Sequence, residues 1–338
     1  FLVITVQLIY NQMSYMIDKE YGFDADEIIV VRLNDTSAEL MKTELMSYAN
    51  IANVSAASFV PASGVSSETD IVVNETEKTI HYMEVDENYV ENMGLSLVAG
   101  HHFTKEVHQH KLVINERALA HLEITTALDA IGQLVILEDS VNYEIVGVLK
   151  DYNHETLFSE IKPLALVYDE EQFGVLQVKI DAKNYDAAVA NLEAAWEKVN
   201  PGKKLDYKLM SDEIAFFASM IFGDLTKIVT FISLLAIIIA CLGLMGMVVF
   251  NTQSRLKEIS IRKVLGASKQ ALVFILSKGF IRLLALAIVV SVPATWFINN
   301  LWLNFIAFRV EIGVMEVSVG VLVIVCLGLI VVGSQTLK

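Results

Sequence analysis

Only two of the 338 residues are cysteine, and both, Cys241 and Cys326, fall inside long apolar runs. Residues 1–225 hold none. That part of the chain cannot form a disulfide even in an oxidising compartment, and its fold must rest on a hydrophobic core, which about 200 residues can supply. It has no Cys nucleophile, and no Gly-x-Ser-x-Gly occurs in the chain, so two common nucleophilic arrangements are excluded. No Gly-x-x-x-x-Gly-Lys-Ser/Thr occurs either, which excludes a P-loop ATPase within the chain. Gly243-x-x-Gly246 lies inside an apolar run, where small residues are expected to serve helix packing. The opening FLVITVQLIY is preceded by no basic segment and followed by no small-residue cleavage pattern, so it does not read as a signal peptide. It reads as the outer end of a membrane helix whose beginning is missing, in a fragment of a longer polypeptide.

What is present is apolar: 54% of residues are hydrophobic and the mean hydropathy is +0.51. Runs of about 20 apolar residues indicate membrane helices, here expected at 226–250, 283–303 and 314–333. Charge divides unevenly. Residues 1–225 carry 15 Lys and Arg against 37 Asp and Glu, whereas residues 226–338 carry 10 against 3. An acidic soluble part argues against a nucleic-acid partner. The segment 251–282 holds seven Lys and Arg and one acid, Glu258, while 304–313 holds Arg309 and Glu311. Basic loops stay in the cytoplasm. The first segment is therefore inside, the loop 304–313 and residues 11–225 are outside, and Lys338 is inside. Pro293 is expected to kink its span, and Trp296 and Trp302 suit the outer interface.

Within 11–225 the pattern Glu27–Leu33, then Ala38, Met41, Leu45 and Tyr48 on one helical face, then Asn53–Val60, reads as β-α-β. Thr36 with Glu39 forms an expected capping box. The plan returns at Val175–Ile180, the helix carrying Tyr185, Val189, Leu192, Trp196 and Val199, and Leu205–Met210. We therefore expect a duplicated β-α-β part with a β-rich insertion at about 65–160. Expected strands of the insertion are Asp70–Val73, Thr79–Val85, Lys111–Asn115, Gln133–Ile136 and Tyr143–Leu149, with short helices at Glu87–Met93 and Glu116–Leu122.

Two stretches invite a site. His101, His102, His108 and His110 fall within ten residues, and His108-x-His110 would place two imidazoles on one face of a strand, as some metal sites do. An exposed polar turn is the plainer reading of the same residues. The second stretch is RLKEISIRKVLGAS, Arg255–Ser268, in which Leu256, Ile259, Val264 and Leu265 interleave with Arg255, Lys257, Arg262 and Lys263. Gly266 can end a helix and Ser268 can cap the next, beginning at Lys269. Such an elbow can dock in a groove of another protein, or it can fix topology and touch anionic lipid.

This segment resembles the cytoplasmic signature R-x-x-E-I-x-x-R-K-x-x-G-A of MacB/FtsX-type ABC transporter permeases, matched by Arg255, Glu258, Ile259, Arg262, Lys263, Gly266 and Ala267. The resemblance continues along the chain. Gly94–Gly100 with Phe103 is similar to the family's G-x-x-L-x-x-G-R-x-F, with His101 standing where the family carries Arg. Val113–Glu116, Tyr143–Tyr152, Ile161–Pro163 and Leu301–Val310 resemble its later elements. The resemblance implies a bundle of four transmembrane helices, the first truncated here, with an α+β extracytoplasmic domain of MacB type after the first. It implies a permease subunit in the bacterial inner membrane that is not itself an enzyme. A cytoplasmic ABC ATPase, holding the ATP-Mg, would grip the connector, and its motion would pass through the helices to the outer domain in efflux, lipoprotein or peptide export, or envelope remodelling. A second permease half or a homodimer mate, membrane lipids, and in some systems a periplasmic adaptor would be the other partners. The competing expectation is a membrane-anchored sensor or scaffold whose outer domain binds a ligand.

Overall fold

The computed structural model describes residues 1–73, 76–104, 110–137, 141–181, 184–254, 257, 261, 264–265 and 269–336. Two units divide the chain, Ile17–Phe217 and the pair of segments Phe1–Met16 and Ala218–Lys338. Helix α1 (Leu2–Asp18) belongs mostly to the second. The first opens with β1 (Ile28–Arg32), α2 (Ala38–Leu45) and β2 (Ile51–Ala57). It continues with β3 (Ser67–Val73), β4 (Thr76–Glu84), α3 (Tyr89–Asn92), β5 (Leu97–Gly100) and β6 (Lys111–Asn115). Then come α4 (Glu116–His121), α5 (Ala127–Ala130), β7 (Leu134–Leu137), β8 (Val141–Leu149) and β9 (Leu164–Val167). It closes with β10 (Val175–Ile180), α6 (Tyr185–Val199) and β11 (Tyr207–Leu209).

One sheet has the order β11-β1-β10-β2 and is antiparallel throughout. Each β-α-β unit leaves a gap that the other fills: β10 lies between β1 and β2, and β1 between β10 and β11, the ferredoxin-like split β-α-β arrangement. The strand β1, IIVVR, is an unbroken apolar run because both its faces are covered. On one face Ile29, Val31, Leu176 and Val178 join Met41 and Leu45 of α2 and Leu192 and Trp196 of α6 in a single core. Each such Leu or Ile stabilises by roughly 1.5–3 kcal/mol through burial. On the other face Asn92 Nδ2 donates to Ser55 Oγ and to the Gln177 carbonyl, both at 2.8 Å, which anchors α3 on the sheet. The cap moves by one residue, and the expected box is not formed, since Leu40 stands three residues after Ser37. Ser37, not Thr36, caps α2 by accepting from Leu40 N, while the Thr36 hydroxyl donates to Asn200 Oδ1 at 2.9 Å. Both residues can cap, and the tertiary partner takes Thr36 away.

The second sheet runs β5-β8-β6-β9-β4-β3-β7, and an additional β7–β8 pairing closes six of its strands into a ring. The pairs β4–β9 and β6–β8 are parallel, the others antiparallel. Ile71, Ile80, Leu112, Ile114, Ile145, Val148 and Ala165 fill it, with Ala118 and Leu122 packed on them. This corrects the expected limits of the insertion. The strand β9, beyond residue 160, pairs with β4 and β6, so the sheet extends to Val167. Neither β5 nor β9 was expected, the first because LVAG is largely exposed, the second because a four-residue apolar run after a proline carries no periodicity.

The helix Met210–Ser254 (α7), most of which belongs to the other unit, is followed by Lys269–Leu303, which contains Pro293, and Val314–Thr336. Three stretches are long and apolar enough to cross a membrane: Met210–Phe250, Ile281–Leu303 and Val314–Val331. The expected span 226–250 is thus the later part of a longer continuous helix. Helix α1 continues past Tyr10 and packs closely on the last helix: a Cβ at Gly320 would stand 2.2 Å from Ile4 Cγ1. The packing role expected of Gly243 and Gly246 is not met among the described residues, since a Cβ at either would find nothing within 4 Å.

Candidate functional site

The connector residues singled out by sequence, Arg255, Glu258, Ile259, Arg262, Lys263, Gly266 and Ala267, lie outside the described residues, as do Leu256 and Ser268. Around them Lys257, Ile261 and Val264 are helical, and Leu265 N donates to the Ile261 carbonyl at 3.0 Å, one helical turn back. The side chains of Ile261, Val264 and Leu265 are 62%, 88% and 80% exposed. Three large apolar groups face outward on a segment that carries five charged residues in sequence, and the next helix begins at Lys269.

The loop before the last span is clasped by a polar group the sequence did not reveal. Gln12 of α1, fully buried, donates from Nε2 to the Phe308 carbonyl at 2.9 Å and accepts from Val310 N at 2.8 Å. Asn299, also fully buried, donates to Thr5 Oγ1 at 3.2 Å and accepts from Trp302 Nε1 at 2.9 Å. These bonds tie α1 to the end of the helix Lys269–Leu303 and to the loop beyond it.

The motif residues of the outer domain have structural tasks. Gly94 and Gly100 sit at φ +68° and +74°, and Phe103 is 1% exposed. Asn115, at the end of β6, performs three tasks at once. Its Oδ1 accepts from Ala118 N (3.1 Å), capping α4, and from Leu164 N (2.9 Å), while its Nδ2 donates to the Lys162 carbonyl (2.8 Å). It therefore fixes the entry into β9. Asn115→Ala removes all three bonds at a buried position and is expected to cost about 2–3 kcal/mol, read as a lower urea midpoint at unchanged slope.

Glu213, in the first turn of α7, pairs with Arg32 of β1 and lies 3.5 Å from Lys208 of β11. The start of the long helix is thereby fixed to the end of β1, an inner strand of the first sheet. A second buried group joins the two sheets: Lys42 Nζ stands 2.5 Å from Asp86 Oδ2 and 3.3 Å from Glu87 Oε1. Burial pushes the Asp86 carboxyl up to about 6 against the pull of Lys42.

At His110 the structure follows the plainer reading of the cluster, an exposed turn. His110 is in a turn at φ +54°, just before β6, rather than on a strand, and His108 lies outside the described residues. His101 and His102 direct their Nδ1 atoms at backbone carbonyls, those of His102 and Phe103. A different set converges: His81 of β4 with His154 and Glu155 of the segment between β8 and β9, one ligand atom of each lying within 4.8 Å of the others. His81 Nδ1 is 2.9 Å from Glu155 Oε1, and its Nε2 is 3.1 Å from Glu68 Oε1. Ser159 Oγ donates to Glu155 Oε2 at 3.0 Å. His154 is 5% exposed, and neither of its ring nitrogens has a hydrogen-bond partner. A buried polar atom left so costs about 1–3 kcal/mol. Burial brings the His154 imidazole down to about 4, so it is neutral at pH 7. Contact with the His81 imidazole holds the Glu155 carboxyl down to about 2. Sequence reasoning missed this group because the contributors stand on separate elements with no spacing to mark them.

Comparison with known proteins gives two family matches. Residues 1–195 match the MacB-like periplasmic core domain, and residues 230–338 match the FtsX-like permease C-terminal region. No curated protein sequence matches the chain. Among solved structures, the periplasmic region of MacB from Actinobacillus actinomycetemcomitans is similar at 18% identity and a TM-score of 0.42, covering 57% of this chain and 92% of that one. The extracellular domain of the noncanonic ABC-type transporter YknZ from Gram-positive bacteria is similar at 14% identity and a TM-score of 0.41, covering 54% and 98%. A domain of a permease protein from Porphyromonas gingivalis is similar at 12% identity and a TM-score of 0.39, covering 55% and 90%.

Proposed function

The chain belongs to the MacB/FtsX-like ABC transporter permeases, inner-membrane proteins with an extracytoplasmic MacB-like domain, and from that premise we propose that it couples a separate cytoplasmic ATPase to that domain. Family membership favours the permease over a sensor or scaffold. The observation that carries the coupling is the connector: Ile261, Val264 and Leu265 stand 62–88% exposed on its helical surface, between two membrane spans and among basic residues. Bases alone suffice to hold topology; the outward apolar side chains add a face that can be buried against another surface. Exposed apolar side chains in a basic stretch of sequence suit a protein groove.

In this reading the ATPase binds ATP-Mg and seats Arg255, Glu258, Ile259, Arg262, Lys263, Gly266 and Ala267. Movement of the connector 251–282 is carried by the span 226–250 to the domain at 11–225. The fastening of Glu213 to Arg32 supports this, because it joins the start of α7 to the first sheet. Helix α1, packed on Gly320, serves as the end of a fourth transmembrane helix, and the two interleaved β-α-β units as copies of one ancestral unit. A second permease half or homodimer mate would complete the assembly. The open face at Gly243 and Gly246 is suited to such a helix.

Co-purification from membranes tests this. Glu258→Lys and Gly266→Pro are each expected to reduce the retained ATPase at least tenfold, the first by reversing the lone acid among seven bases, the second by denying the elbow its backbone freedom. Wild-type retention and wild-type stimulation of ATP hydrolysis in both variants would remove the reading.

A further inference from the structure

We propose that His81, His154 and Glu155 form a zinc site in the outer domain. Three observations converge on it. First, the donor set is two imidazoles and one carboxylate, the ligand chemistry of Zn²⁺ sites that keep a fourth position open. Second, the geometry is close to what the ion demands. Tetrahedral ligands at 2.0–2.1 Å lie about 3.4 Å from one another, and here the donor atoms already lie within 4.8 Å of each other, the two rings having centroids 6.0 Å apart. Third, the next layer is built. Metal-bound histidines usually donate their second nitrogen to a carboxylate, and Glu68 Oε1 is 3.1 Å from His81 Nε2. Ser159 holds the second oxygen of Glu155.

The independent pointer to a ligand is His154. It is 5% exposed with both ring nitrogens without a hydrogen-bond partner. Its own backbone carbonyl accepts from Ala62 N at 2.7 Å and its N donates to the Tyr152 carbonyl at 3.0 Å, so the ring is held in place. Glu155 and Glu68 supply negative charge toward a divalent cation. His81, at 12% side-chain exposure, and Glu155, at 18%, leave an approach from solvent. The site would bridge β4 to the segment entering β9, the same segment that Asn115 clamps. A bound zinc therefore stiffens the second sheet where its parallel β4–β9 pair begins, and its open position can take a water or a donor from a partner.

The test uses the whole chain in detergent, stripped with chelator and titrated with Zn²⁺ against a chromophoric competitor. We expect one equivalent bound, a raised melting temperature, and a visible d–d band on Co²⁺ substitution. His81→Gln, His154→Gln and Glu155→Gln should each weaken Zn²⁺ binding at least tenfold, and Glu68→Gln by about 10–100-fold. His121→Gln, a histidine outside the group, should leave it unchanged. Since His154→Gln places an amide in a buried site, metal-free melting of every variant and the Co²⁺ spectrum of Glu68→Gln keep binding separate from folding. Absence of binding to the wild type, binding that survives His81→Gln with Glu155→Gln, or binding lost equally in His121→Gln would overturn the proposal. The first result would leave a water-bridged imidazole pair.

Discussion

Lys42→Met is expected to lower the stability of the outer domain by about 3–5 kcal/mol at pH 7, because removing one partner of a buried pair strands the other. The side chains of Lys42, Asp86 and Glu87 are 10%, 1% and 10% exposed, so solvent does little to screen them. Methionine keeps the aliphatic stem and removes only the ammonium. Two carboxylates then face each other without a counter-charge, and Asp86, the more buried, takes up a proton. Its folded pKa, about 6 with Lys42 present, rises further, while the unfolded value stays near 3.9. A carboxyl raised in the folded state favours folding at low pH and loses that contribution as pH rises through the folded pKa. The deficit of Lys42→Met is therefore largest above pH 7 and shrinks toward pH 4. Thermal melting should show a drop on the order of 10 °C at neutral pH and much less at pH 5. Lys42→Met with Asp86→Asn should recover a good part of the loss. A deficit under 1 kcal/mol, or one constant from pH 5 to 8, would mean the pair is not isolated from water as its burial indicates.

That pair also shows what a sequence can and cannot convey. The runs Ile28–Arg32 and Val175–Ile180 are legible as buried strands because their apolar content is local. The 4, 3, 4, 3 spacing from Tyr185 to Val199 marks α6 for the same reason. What joins them is not local. The crossing of β10 between β1 and β2, the ring closed by β7 on β8, and the salt bridge from Lys42 to Asp86 all depend on pairings set by the whole fold. The histidines make the point most sharply. A visible cluster at His101–His110 puts His110 in a turn, whereas His81 and His154, each alone in its stretch, meet across the parallel β4–β9 edge. The connector is the opposite case. Its signature is fully legible as sequence, and the exposed Ile261, Val264 and Leu265 are the part of it that structure adds. The helix from Met210 runs unbroken to Ser254, so its polar lead-in and apolar span differ in composition, though not in backbone.

Gly100→Ala is expected to destabilise the outer domain by about 3–5 kcal/mol, with strain at a special backbone conformation as the cause. Two separate penalties meet there. The residue sits at φ +74°, which costs an L-residue roughly 1–2 kcal/mol. The added methyl would also lie 2.1 Å from the Val146 carbonyl oxygen and 2.7 Å from Ile131 Cδ1. That carbonyl cannot retreat, because it accepts from His101 N at 3.0 Å within the β5–β8 pairing. Across the pair stands Gly147, whose own Cβ would be 2.3 Å from the His101 carbonyl oxygen. The two glycines allow one close crossing of backbones. Gly147→Ala carries the clash without the left-handed conformation, so it should cost about 1–2 kcal/mol less than Gly100→Ala. Since both substitutions open the same crossing, the double variant should lose less than the two single losses combined. Urea midpoints of the three variants at a common slope measure this directly. A Gly100→Ala protein within 1 kcal/mol of the parent would show that β5 shifts away at little cost, and the second glycine of G-x-x-L-x-x-G would then need another explanation than close packing.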